Sequence, residues 1–136
     1  MRLAQNAFRV LLVLWAGSLW SLAAWVAPTL FYAQSDRHLA GILAAKLFSI
    51  ESYLGIAVAL FAGLLPGRAK FVWGYLAAVL LAINEWALKP VMTLAHERGA
   101  AAGLGFGAWH GVSAVLYLGA CLAVLVLVGS NRAAPL

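Results

Sequence analysis

Four long apolar stretches, at about 8–33, 39–65, 71–95 and 105–128, use up almost the whole of this 136-residue chain. Each is long enough to cross hydrocarbon as a helix, which needs roughly 20 mainly apolar residues. Backbone polar groups have no water to turn to at that depth, so they must pair within their own segment. Short strands of alternating polarity, which could close a barrel, are absent. The expected fold is therefore all-α, a four-helix transmembrane bundle running up-down-up-down. The connections are a few residues long, which leaves no room for a soluble unit, so residues 1–136 are read as one domain. Only 10% of the residues are charged against 65% apolar, whereas a soluble domain carries about 25% charge.

The first stretch is too long for the roughly 7–15-residue core of a secretory signal and is read as a retained span. Arg2, Arg9, Arg68, Lys70 and Arg132 fall on one side of the four spans. Only Arg37 and Arg98, beside Asp36 and Glu97, fall on the other. Because basic residues favour the cytoplasm, both termini are expected inside a multi-pass inner-membrane protein. The net charge of +5 needs no nucleic acid to explain it, since topology and anionic headgroups account for it. Cys121 has no partner for a disulfide within the chain and is read as a small packing residue.

Within the spans, the charges follow a pattern. The second span carries Lys46 and then Glu51; the third carries Glu85 and then Lys89. In antiparallel helices the reversed order places both lysines at one depth and both carboxylates at another. At about 1.5 Å per residue the glutamates lie near mid-span, with Lys46, Lys89 and His110 roughly 10 Å toward the outer side. Glu85 and Lys89, four apart with the acid first, suit an ion pair along one helix. Lys46 and Glu51, five apart, cannot share a face. Glu51 then needs another partner, a proton or water, while Lys46 can snorkel to the outer interface. Ionisable groups at such depth are costly and mark function by default. The expected polar intramembrane site is Lys46, Glu51, Asn84, Glu85, Lys89, His110, Ser113 and Tyr117, in the outer half of the bundle.

Other features read as architecture. Gly17, Ser21, Ala24 and Pro28 form a stripe of small residues on the first span, suited to close helix approach. Pro28 bends that span near its outer end, and Phe31 and Tyr32 mark the interface. Pro66 and Gly67 stop the second helix. His110, Ser113, Ala114, Tyr117 and Cys121 form a stripe on the fourth span expected to face the interior. Gly103, Gly105 and Gly107 follow no strand and precede no lysine-threonine pair, so they are read as a flexible helix start rather than a phosphate loop.

Three stretches carry a family likeness: Trp15-Ala16-Gly17 with Val26-Ala27-Pro28-Thr29-Leu30-Phe31; Ala40-Gly41-Ile42 with Lys46-Leu47-Phe48; and Phe106-Gly107-Ala108-Trp109-His110-Gly111-Val112-Ser113. Together they resemble the bacterial branch of the transmembrane-protein-205-like family, a domain of unknown function. More distantly, the layout looks like the copper-resistance-permease-like four-helix membrane proteins and the haem-dependent protoporphyrinogen oxidase. The resemblance implies a small four-helix inner-membrane protein and supplies no catalytic residue. It places Pro28, Phe31, Gly41, Phe48, His110, Gly111 and Ser113 on the family pattern.

Three functions are compatible with these residues. The polar site could bind or pass a small solute, proton or cation, with Glu51 and Glu85 as deep acceptors and His110 tuning access. The bundle could hold haem or a quinone, with His110 as an axial ligand opposite Met92. Finally, the chain could be a structural subunit or a homo-oligomer packed through its small-residue faces. No metal site is expected: Cys121 lies about three turns from His110, too far for the two to join Met92 around copper.

Overall fold

The computed structural model describes residues 2–64 and 71–131. Pro66, Gly67, Arg68, Lys70 and Arg132, which carry the expected second-helix stop and part of the charge asymmetry, lie outside the described residues. The chain runs as α1 (Arg2–Ser21), a π-helical turn (Leu22–Val26), α2 (Ala27–Ala33), α3 (Arg37–Gly63), α4 (Val72–Ala82), a second π-helical turn (Ile83–Leu88), α5 (Lys89–Arg98) and α6 (Phe106–Asn131). α1, its π turn and α2 make the first span; α3 the second; α4, its π turn and α5 the third; α6 the fourth. All four are long and apolar enough to cross a membrane. The molecule is an all-α four-helix bundle and a multi-pass membrane protein.

Prolines break the first and third spans in the same way. Proline donates no backbone hydrogen bond, and its ring collides with the carbonyl four residues back. Pro28 and Pro90 each follow a turn widened by one residue: Ala27 N–H reaches Leu22 O, and Lys89 N–H reaches Asn84 O, five residues back in both cases. The wider turn clears room for the ring, and beyond it the helix continues. Each interruption of the α-helical pattern is thus a proline with a π bulge.

Helix ends follow from local chemistry. Asp36 caps α3, its Oδ1 accepting from the backbone N–H groups of His38 (2.9 Å) and Leu39 (3.2 Å). The third span stops at Gly99, whose φ of +82° favours glycine. Ala101 and Leu104 then exchange two backbone hydrogen bonds around Ala102 and Gly103, both at positive φ, which makes a tight turn. Trp109 Nε1 donates to Ala101 O (2.9 Å) and ties that turn to α6. The glycines expected to loosen the start of α6 therefore divide their work. Gly103 shapes the turn, while Gly105 precedes the helix and Gly107 lies within it.

The apolar core occupies the half of the bundle nearer the termini, here the terminal half. Leu12, Trp15, Ala16, Leu19 and Leu22 meet Val58, Ala59 and Ala62, Ala77, Ala78 and Leu81, and Ala120, Cys121, Val124 and Leu127. Gly55 is needed there, since a Cβ would lie 2.7 Å from Leu81 Cδ1 and 2.9 Å from Trp15 Cζ2. The Gly17, Ser21, Ala24, Pro28 stripe does not pack the bundle. It points outward, and a Cβ on Gly17 would meet nothing within 4 Å. Bulky residues, Leu12, Trp15, Leu19 and Leu22, take the inner face instead, where van der Waals packing holds helix to helix. Phe31 and Tyr32 are exposed near the end of the first span. The other half, carrying the Asp36 and Gly99–Gly105 connections, is the loop half; its buried apolar residues are few, among them Ala40, Ala44, Leu88 and Ala95.

Candidate functional site

The π turn of the third span presents Asn84 and Glu85 on consecutive residues, and they bond in different directions. Glu85 Oε1 pairs with Lys89 Nζ at 2.7 Å along the same helix. Its side chain is only 10% exposed, against 44% for Lys89. Ser49 of α3 completes the group: its hydroxyl lies 3.0 and 2.9 Å from the two carboxylate oxygens and accepts from Lys89 Nζ at 2.5 Å. The same hydroxyl is 3.0 Å from Ala45 O. One proton cannot serve both acceptors, and the charged one binds more strongly. Lys89, Glu85 and Ser49 thus form a three-membered polar clasp between the second and third spans.

Asn84 turns to the fourth span. Its Nδ2 donates to Ser113 O (3.0 Å), and Ser113 Oγ donates back to Asn84 Oδ1 (2.6 Å). The fourth span closes onto the first through Tyr117 OH, which donates to Leu19 O (3.0 Å), and through Trp20 Nε1, which donates to Cys121 O (3.3 Å).

Glu51 belongs to a separate contact. Two residues from Ser49, it lies roughly 200° around α3, where Ser18 Oγ of the first span donates to its Oε2 (3.2 Å). The Ser18 hydroxyl is also 2.9 Å from Trp15 O. Trp15 Nε1, wholly buried one turn away, has no hydrogen-bond partner among the described residues. A buried donor without a partner costs about 1–3 kcal/mol, so the Ser18–Glu51 side of the bundle holds spare polar capacity.

The structure thus gathers six of the eight expected residues into interhelical contacts, distributed around the ring of helices rather than in one chamber. Glu85 and Lys89 meet as the four-residue spacing requires. Lys46 is exposed and, among the described residues, makes no hydrogen bond or ion pair. His110 is also exposed; its ring stacks on Phe106 (centroids 5.8 Å, 19°), which in turn meets His96 at 5.4 Å. The fourth-span stripe is split accordingly. Tyr117 and Cys121 are buried and Ser113 half-buried, while His110 and Ala114 face outward. A straight helix turns by 100° per residue, so this stripe spirals from the interior to the surface.

Two working groups escape a reading based on charge. Ser49 and Ser18 supply the partners for both glutamates, yet serine is ordinary in membrane helices. The usable signal for Ser49 is its spacing, three residues from Lys46 and four from Tyr53, which puts it on the stripe of α3 that meets the third span.

A family model described as a domain of unknown function, DUF4149, matches residues 10–101. The chain belongs to the DUF4149 family. No curated protein and no solved structure matches it. The matched part of this DUF4149 chain contains both π turns, Glu51 and Glu85, the serines Ser18 and Ser49 that bind them, and Lys46 and Lys89. Ser113, Tyr117 and His110 of α6 lie beyond it. The Glu85 clasp and the Ser18–Glu51 contact therefore fall wholly within the region that defines the family.

Proposed function

We propose that this DUF4149 protein binds and passes protons or a small cation through the membrane, with Glu85 and Glu51 as the acceptors. The observation that carries this reading is the Glu85 pair, a carboxylate hidden at mid-span behind a lysine that is open to its surroundings. Lys89 neutralises Glu85 when no cation is present. Because Lys89 is open, it can swing aside on its flexible stem and leave Glu85 to a proton or cation, with Ser49 holding the carboxylate in place. The π turn favours such exchange, because bulges of this kind leave backbone groups and side chains free to rearrange. Glu51, facing the opposite side of α3, offers a second carboxylate at similar depth.

The same reading places the protein in an inner membrane with its termini in the cytoplasm, so that the loop half opens outward. Its likeness to the transmembrane-protein-205-like proteins concerns architecture and adds no reaction. Reconstituted proteoliposomes carrying an internal pH-sensitive dye test the proposal. Under an imposed potential, wild-type vesicles should acidify or alkalinise faster than empty ones, and Glu85→Gln should return them to the empty-vesicle rate. Unchanged flux in both Glu85→Gln and Glu51→Gln would reject it.

A further inference from the structure

Lys46 is the unresolved charge of this molecule. An unpaired lysine costs about 2.5–3.5 kcal/mol at the centre of a span on insertion scales and less toward its ends, and no acidic group among the described residues answers Lys46. Its surroundings indicate what does. Lys46, Ser49 and Tyr53 lie three and four residues apart and so share one stripe of α3. Ser49 touches Glu85 and Lys89, and Tyr53 meets Trp86 edge-on at 6.2 Å. This stripe and the third span thus meet along one seam on the outer surface of the bundle. The seam is layered. Lys46 and Lys89 are each nine residues from the loop end of their helices, at Arg37 and Arg98, and stand at one level. Tyr53 and Trp86, 53% and 57% exposed, stand at a deeper one. Glu85 is turned inward behind Lys89, so the seam presents ammonium groups rather than a carboxylate at its upper end.

That order, cationic toward the membrane surface and aromatic toward the bilayer centre, matches a lipid of the same leaflet. We propose that the seam between the second and third spans holds one anionic phospholipid, its phosphate bridging Lys46 and Lys89 and an acyl chain lying along Tyr53 and Trp86. Long lysine stems carry their charge up to the phosphate, and each such lysine adds about 1 kcal/mol of attraction to an anionic headgroup. The lipid supplies the counter-charge that the protein lacks. The lipid shares Lys89 with the proposed ion passage, and the Lys46 variants separate the two, since Lys46 pairs with neither carboxylate.

Native mass spectrometry of the full chain released from micelles, titrated with phosphatidylglycerol or phosphatidylcholine of the same acyl chains, tests it. Wild-type protein should retain one phosphatidylglycerol in preference to phosphatidylcholine. Lys46→Gln should weaken that retention about fivefold, the equivalent of one lysine contact, while Lys46→Arg, which keeps the charge, should restore it. Tyr53→Ala should weaken both lipids alike. Equal retention of the two lipids by wild-type protein, or undiminished phosphatidylglycerol binding in Lys46→Gln, would overturn the proposal. So would competition by millimolar inorganic phosphate as effective as that by lipid, because the site would then recognise a free anion.

Discussion

The first and third spans are interrupted by the same device, which serves different ends in the two. Each has a π turn just before a proline, at Leu22–Val26 and at Ile83–Leu88. In the first span the break is apolar and borders a shallow groove lined by Trp25, Val26, Thr29 and Leu30. In the third, the widened turn holds Asn84 and Glu85 and leads straight to Lys89, reaching Ser49 on one side and Ser113 on the other. The first span's own polar contact, Ser18 to Glu51, lies on the terminal side of its break and does not depend on it. A proline break by itself therefore only widens one helical turn; it gathers interhelical polar contacts where polar residues occupy that turn.

The comparison can be broken most forcefully at Glu85. Glu85→Ala strips the clasp of its acceptor, and because Glu85 is buried while Lys89 is 44% exposed, the cost should be about 2 kcal/mol, between that of a buried pair and that of a surface one; reversible unfolding in mixed micelles should show a loss near that size. A loss below about 0.5 kcal/mol would mean that the pair behaves as an exposed surface bridge. The two serines sharpen the contrast. Ser49→Ala should cost about 1.5 kcal/mol, near the upper end for interhelical hydrogen bonds in a membrane, and Ser18→Ala about 0.6 kcal/mol, near their mean. Equal costs would remove the distinction between the two contacts. The smallest effect concerns the prolines themselves. Double-mutant cycles of Glu85→Gln with Lys89→Gln should give a coupling that falls by a few tenths of a kcal/mol when Pro90→Ala lets the turn tighten. Pro28→Ala should leave that coupling unchanged, and an equal fall with both would tie the clasp to bundle shape rather than to the local turn.

Much of the architecture is legible in the residues. Apolar length marks four spans, the four-residue spacing marks the Glu85–Lys89 pair, and Gly99 and Asp36 carry familiar signals for a helix stop and start. The π turns were not legible, since proline announces a bend but not how the neighbouring carbonyls are accommodated. Nor was the role of Ser18, because a serine in a membrane helix has many partners within reach, its own backbone included.

One sequence repetition shows where the division falls. Ser-x-x-x-Tyr-Leu-Gly occurs twice, at residues 49–55 of the second span and 113–119 of the fourth. Tyr53 is exposed against Trp86, whereas Tyr117 is buried with its hydroxyl on Leu19 O. The sequence alone determined that both strings are helical, that both cross hydrocarbon, and that charge is concentrated in the middle two spans. Only the packing of helix on helix decided which face of each turns inward. In a soluble helix the hydrophobic stripe would have revealed that face, but here lipid and core are equally apolar, so burial leaves no periodic trace in the residues.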